Sequence, residues 1–364
     1  MKIFFAETEA SDERFFRSAL PEFELRFDSD LALAEPETEI VSIYLKSKID
    51  EAFLDAHPKL ELITVRASGY DHLDLPGCAR RGITVCNLHG ASANTVAEHT
   101  FALMLAVSRR LMEVREANKQ PRFFYEKWRG FDLRGKTLGV VGTGRIGLCV
   151  VRLGLAFGMR VLGCDPHNHS RMAEIMGLKY VSLDELLAES QVITLHTPLT
   201  PETHHLFNRE AFAKCQEGSV LINTARGAVV DTDALVEALD SGRIAGAGLD
   251  VLEEESVMQK EAGKIIADHI VMRLHSAPQE EMRMRDPNWI KQIESMFRNQ
   301  RLLARPNVVF TPHVAFNSVE AVEEMNEATV SNIRAFLAGR PENVVPPGGF
   351  HTKVAGVTTS SGGT

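Results

Sequence analysis

Short apolar runs punctuate the start of the chain at 3–6, 39–44, 61–65 and 83–86, rich in β-branched and aromatic residues, and they predict strands. Between them, residues 12–20 and 50–56 carry apolar positions at helical spacing. That alternation predicts βαβ units and a parallel sheet. A longer helical pattern then covers 94–111. It opens on Thr95-Val96-Ala97-Glu98, which has the form of a capping box before an apolar run, and it reads as the crossing between two domains.

A second alternating series follows, with expected strands at 137–141, 160–164, 192–196, 219–223, 245–251 and 308–310. Helical patterns at 145–157, 183–189 and 232–241 fill the gaps, which predicts a doubly wound α/β domain. Beyond His313, the helical stretch 318–337 has no sheet of its own to complete and is expected to return to the first domain. The expected division is 1–98 plus 315–350 for one domain and 99–314 for the other. Two segments lie outside this plan: 256–304, charged and methionine-rich, reads as an insertion between two strands, and the Gly/Ser/Thr-rich stretch 351–364 reads as a disordered tail.

Bulk properties narrow the class. A chain of 364 residues exceeds a comfortable single core, so two domains are expected. No apolar run approaches the roughly 20 residues that span a bilayer, and the first residues lack the form of a secretory signal, which points to no membrane and a cytoplasmic location. The formal net charge of -9 argues against a nucleic acid partner. Cys78, Cys86, Cys149, Cys164 and Cys215 show neither C-x-x-C pairing nor a Cys/His cluster at metal spacing, so reduced thiols and no metal are expected.

The strongest chemical motif is Gly142-Thr143-Gly144-Arg145-Ile146-Gly147, set between an expected strand and the helix that follows it. In that position the glycines permit a tight turn, close backbone approach to a pyrophosphate and close helix packing, while the helix N-terminus offers amides to phosphate. Asp165 ends the next strand at about the distance expected of an acid that grips ribose hydroxyls. A carboxylate there repels a 2′-phosphate, so NAD is expected rather than NADP. Other strand ends read His196-Thr197-Pro198, Thr224-Ala225-Arg226-Gly227 and Asp250 to Glu255. His196 and His313 both stand at strand ends as possible acid/bases, and Arg226 is the best-placed cation for a carboxylate substrate.

With these residues in view, the chain resembles the D-isomer-specific 2-hydroxyacid dehydrogenases, and most closely their D-lactate dehydrogenase branch. The resemblance rests on 66–74 (RASGYDHLD), 96–100 (VAEHT), the 142–147 glycine motif, 223–227 (NTARG), 248–251 (GLDV) and 311–316 (TPHVAF). It implies a Rossmann NAD domain and a discontinuous flavodoxin-like substrate domain facing each other across a cleft in a homodimer. It also implies that Arg226 holds the substrate carboxylate and carbonyl, that His313 is the acid/base and that Glu255 is its carboxylate partner. Ser68 and Gly69 would present amides to the carboxylate. Gly142, Gly144, Arg145, Ile146, Gly147, Asp165, His196, Thr197, Pro198, Thr203, Thr224, Ala225, Arg226 and Asp250 would line the NAD site. Phe316 resembles the aromatic that lactate-type members place over the substrate side chain.

The pattern also has departures. The run 91–93 (ASA) replaces the Tyr-Ser-Pro common in lactate-type members, leaving a larger or less polar pocket, and Lys46 lies near where an aromatic is common. The expected function is therefore NAD-dependent reduction of a small 2-oxo acid, pyruvate to D-lactate first. A bulkier or dicarboxylic acid is the alternative. The same motifs occur in C-terminal-binding corepressors, which resemble the family but use NAD to set assembly.

Overall fold

The computed structural model describes residues 1–88, 90, 92–117, 125–167, 173, 175–255 and 287–349. Two compact units divide the chain: Met1–Thr95 with Phe316–His351, and Val96–Ala315. Most of the expected insertion, 256–286, and the expected tail 351–364 lie outside the described residues, as does Ala91. The insertion's last part, Pro287–Leu303, is an α-helix.

The first unit holds five parallel strands, β1 (Lys2–Ala6), β2 (Glu24–Asp28), β3 (Ile40–Ile43), β4 (Leu62–Val65) and β5 (Thr84–Cys86), in the order β2-β1-β3-β4-β5. This is the 2-1-3-4-5 order of flavodoxin-like sheets. β3 and β4 are buried along their whole length, as central parallel strands covered on both faces must be. The helix Val319–Leu337 packs on β4 and on the helix Ala10–Ala19. Its buried positions Ala321, Met325, Thr329, Asn332 and Ile333 recur at helical spacing, which makes one apolar and amide-bearing stripe. Downstream, Val344 makes an antiparallel bridge to Cys86, so the β5 edge is covered.

Arg66, fully buried just beyond β4, donates to the Ala6 and Glu7 carbonyls at the end of β1 and lies 3.9 Å from the Asp12 carboxylate. Burial pushes its pKa down, while Asp12 and Glu7 oppose that shift. Asp12 in turn accepts from Asn326 Nδ2 at 2.9 Å, so the charge is met from both the first and the last helix of this unit.

The second unit has seven parallel strands: β6 (Thr137–Val141), β7 (Arg160–Cys164), β8 (Lys179–Tyr180), β9 (Val192–Leu195), β10 (Ser219–Asn223), β11 (Ile244–Leu249) and β12 (Val308–Phe310). Their order is β12-β11-β10-β9-β6-β7-β8, which is the Rossmann 3-2-1-4-5-6 order, counted from β6, with one more strand beyond the sixth. Two apolar layers cover the faces, one around Leu195, Phe207, Leu221 and Leu235, the other around Phe101, Met104, Val140, Val150 and Ile222.

Four expected strands of this unit have the observed bounds, and two end early, at Leu195 and Leu249, because the residues beyond them leave the ladder to form the site loops. Sequence reading missed β2, an edge strand with three charged residues in five, and the two-residue β8. It also missed the short helices Leu75–Arg80 and Arg209–Lys214, capped by Asp74 and Asn208. The helix expected over 94–111 is Ala93–Ser108, so Thr95 sits inside its first turn instead of capping it. At the other end Arg110 takes φ 52° and the Ser108 carbonyl accepts from Phe131 N, and a separate helix, Leu111–Ala117, follows.

Candidate active site

The glycine motif forms the turn from β6 into the helix Arg145–Ala156. Gly142 has φ 89°, and a Cβ there would lie 2.7 Å from the His196 carbonyl oxygen. At Gly147 a Cβ would lie 2.0 Å from the Gly142 oxygen, so both positions exclude any other residue. Gly144 caps the helix with no side-chain hydrogen bond, and a Cβ there would meet no atom within 4 Å. Gly144 and Arg145 are exposed, so this N-terminus is open to an anion, with the positive end of the helix dipole behind it. Arg145 is exposed and Ile146 half-buried beside it.

Asp165, at the end of β7, accepts from Thr143 N at 2.6 Å and His167 N at 2.7 Å. The carboxylate is thus fixed against the glycine turn. β6 and β9 are adjacent although out of sequence order, which marks the switch point where open α/β sheets bind ligands. These features fit a dinucleotide with an unphosphorylated ribose. The loop after β9 is stitched by buried Thr203, which donates to the Pro198 carbonyl at 2.6 Å and accepts from Thr200 N at 2.7 Å. Among the described residues the buried Thr197 hydroxyl has no hydrogen-bond partner.

Arg226, Glu255 and His313 lie on the loops after β10, β11 and β12, three neighbouring strands. Asn223 shapes the first loop: its Oδ1 accepts from Ala225 N and its Nδ2 donates to the Arg226 carbonyl, both at 3.0 Å. Half-buried Arg226 donates from its guanidinium to the Ala225 carbonyl at 2.8 Å. Gly227 is pressed against the β11 loop, where a Cβ would come within 1.9 Å of Leu252 backbone atoms.

His313 Nδ1 and Glu255 Oε2 are 2.8 Å apart. The other oxygen of Glu255 accepts from Leu252 N at 3.0 Å, which orients the carboxylate. An ionised carboxylate only accepts, so Nδ1 carries the proton and Nε2 is left for chemistry. His313 itself has φ 54°.

Asp250, expected at the NAD site, has both carboxylate oxygens engaged by the turn that carries His313. They accept from Val314 N (3.0 Å), Ala315 N (2.9 Å) and Thr311 Oγ1 (2.6 Å). Since the Thr311 hydroxyl donates to Asp250, it must accept from His99 Nε2, 2.9 Å away. The neighbouring Thr100 donates to the Val96 carbonyl and so accepts from the Thr224 hydroxyl at 3.0 Å. Consecutive residues of the helix Ala93–Ser108 thus hold the Arg226 loop and the His313 turn. His99, Thr100, Asn223 and Thr311 lay inside the motifs already singled out, but only the fold shows what they hold.

Of the two histidines, His196 is unsuited to proton transfer. Its Nε2 is bonded to Thr194 Oγ1 at 2.9 Å, its buried Nδ1 has no partner among the described residues, and burial pushes its pKa down to about 3.

In the first unit, Ser68 and Gly69 follow the carboxyl end of β4, and Ser68 is held by Oγ to the Leu88 carbonyl (2.9 Å) and by its own carbonyl to Asn87 Nδ2 (2.8 Å). Phe316 packs at a tilt on Tyr44, centroids 5.1 Å apart. Lys46 is exposed, its backbone N donating to Glu7. All five cysteines are free, and burial raises the thiols of Cys78, Cys86 and Cys164 to about 11 and that of Cys215 to about 12. Among the described residues no helix is long and apolar enough to cross a membrane.

Residues 101–315 match the model of the D-isomer specific 2-hydroxyacid dehydrogenase NAD binding domain. A 2-hydroxyacid dehydrogenase homolog of Haemophilus influenzae is 34% identical, covering 95% of this chain and 100% of its own. A glyoxylate reductase of Korarchaeum cryptofilum is 36% identical over 83% of this chain and 80% of its own. The crystal structure of D-lactate dehydrogenase from Aquifex aeolicus, complexed with NAD and lactic acid, superposes with a TM-score of 0.77 at 35% identity, covering 93% of this chain and 96% of that one. With the glycine turn, the aspartate held against it and the histidine–glutamate pair in one Rossmann unit, the chain belongs to the D-isomer-specific 2-hydroxyacid dehydrogenases, NAD-dependent oxidoreductases.

Proposed function

We propose that the protein reduces a small 2-oxo acid to the D-hydroxy acid, with pyruvate and D-lactate as the leading pair. The observation that carries this reading is the Glu255–His313 hydrogen bond on strand ends next to the one that bears Arg226. Bound NADH supplies the hydride that C2 of the substrate accepts. Arg226 presents a planar fork of donors that binds the carboxylate and polarises the carbonyl. His313 delivers the proton from Nε2 to the carbonyl oxygen and takes it back in the oxidation direction. Glu255 fixes the tautomer and compensates the imidazolium charge. Ser68 and Gly69 are assigned to the substrate carboxylate, and the 142–147 turn, Asp165 and the 196–203 loop to NAD.

Phe316, with Tyr44 beside it, supplies an apolar surface suited to a methyl or similar side chain. The lactic acid named with the Aquifex aeolicus enzyme agrees with this choice, while the glyoxylate reductases among the relatives favour small acids without separating two carbons from three. We assign the protein to the cytoplasm as a homodimer, which sedimentation of the purified protein checks through a mass twice that of the 40.3 kDa chain.

Arg226→Ala should lower kcat/KM by roughly a hundredfold or more, the scale of truncating one partner of a desolvated charge pair. His313→Asn should lower kcat by roughly 10²- to 10⁴-fold with little change in KM. Steady-state kinetics reads both, and retained turnover in either variant would remove the role assigned to that residue.

A panel of pyruvate, glyoxylate, hydroxypyruvate, 2-oxobutyrate, phenylpyruvate and oxaloacetate, followed by NADH absorbance, should give pyruvate the highest kcat/KM. Preference for phenylpyruvate or oxaloacetate would move the substrate to the bulkier or dicarboxylic class. No turnover of any acid would favour an NAD-sensing binding protein.

His196 titrates at about 3 in the folded protein against 6.5 ordinarily, so between these values the unfolded chain binds the extra proton. Its stabilising effect is complete above about pH 6.5 and is lost as pH falls toward 3. Urea midpoints at pH 7 and pH 5 should therefore fall further in the wild type than in His196→Asn. Equal falls would mean that the ring protonates without leaving the fold.

A further inference from the structure

We propose that His204, His205 and Glu253 form a binding site for a divalent transition-metal cation of zinc's class, and that its occupation inhibits the enzyme. One ligand atom from each residue lies within 4.8 Å of the others. The two imidazoles stack with centroids 4.1 Å apart, so their edges can face the same side. His205 Nε2 is already 2.8 Å from Glu253 Oε1, and Thr232 Oγ1 donates to the other oxygen of Glu253 at 3.0 Å. That second contact is the outer-shell support that fixes a liganding carboxylate.

Two imidazoles and one carboxylate suit zinc, copper or nickel, whereas magnesium and calcium prefer oxygen donors. Zinc bonds of about 2.0–2.1 Å require ligand atoms about 3.3 Å apart. The His205–Glu253 pair is already closer than that, and exposed His204 has room to swing in. Water fills the remaining position.

The surroundings connect this cluster to the site. Glu253 stands two residues before Glu255, and His205 N donates at 2.8 Å to the carbonyl of Ala228, two residues after Arg226. Occupation of the cluster requires His205 Nε2 to release its proton and its bond to Glu253. Because the pair must open from 2.8 Å to about 3.3 Å, Glu253 moves outward from His205, and the segment that carries Glu255 two residues on is displaced from the geometry that orients His313. The inhibition rests on the function proposed above, whereas the binding does not.

Untagged, metal-free full-length protein is titrated with Zn2+ by calorimetry, without substrate. One Zn2+ per chain is expected at micromolar affinity or tighter, weakened at least tenfold in His204→Ala and in Glu253→Gln, with Mg2+ failing to compete. His204 is exposed, so its variant keeps the fold, and an unchanged thermal midpoint confirms this. Absence of binding, or wild-type affinity in His204→Ala, would overturn the site. In NADH assays Zn2+ should inhibit the wild type reversibly and His204→Ala at least tenfold less. Equal inhibition of both would overturn the coupling while leaving the calorimetric result standing.

Discussion

Asp250 is a buried carboxylate around which the chain turns. With 1% of the residue exposed, its charge is met by two backbone amides and the Thr311 hydroxyl, while its own carbonyl accepts from His313 N at 2.7 Å. Hydrogen bonds to an ionised acceptor are roughly twice as strong as neutral ones, and each buried amide left without a partner would cost about 1–3 kcal/mol. The turn therefore has one low-energy path. That path holds His313 at φ 54°, a conformation that costs a non-glycine residue on the order of 1–3 kcal/mol and persists only where the surroundings over-determine it.

The same logic extends across the sheet. Parallel strands deliver their loops to one end, and strand order decides which loops meet. Glycine then sets how closely they approach: Gly142 lets the dinucleotide turn lie on the His196 carbonyl, and Gly227 lets the Arg226 loop lie on Leu252. In both places the missing side chain is replaced by backbone from a neighbouring strand end, so loops that are far apart in sequence share one surface.

Much of this was legible in the sequence because central parallel strands, buried on both faces, are written as continuous apolar runs. Thr137–Val141 and Ser219–Asn223 are such runs, and each leads directly into a chemical motif. The edge strand Glu24–Asp28 was missed because half of its surface answers to water and carries charge. The helix end at Ser108 was hidden because a tertiary bond from Phe131 decides it. At the site, Arg226 and His313 stand out by type and place. The choice between His196 and His313 depends on burial, which no local pattern records, and the partners of Asp250 come from positions as far away as Ala315.

Fastening the Arg226 loop and the His313 turn to consecutive residues of one helix has a consequence for thermal noise. When the helix Ala93–Ser108 shifts, His99 and Thr100 carry both loops in the same direction. In the reaction proposed for this site, proton delivery and carboxylate binding depend on the difference between the two positions, and a displacement common to both cancels in that difference. The helix acts as a shared reference, so the spacing of the two groups can stay steadier than either group's absolute position.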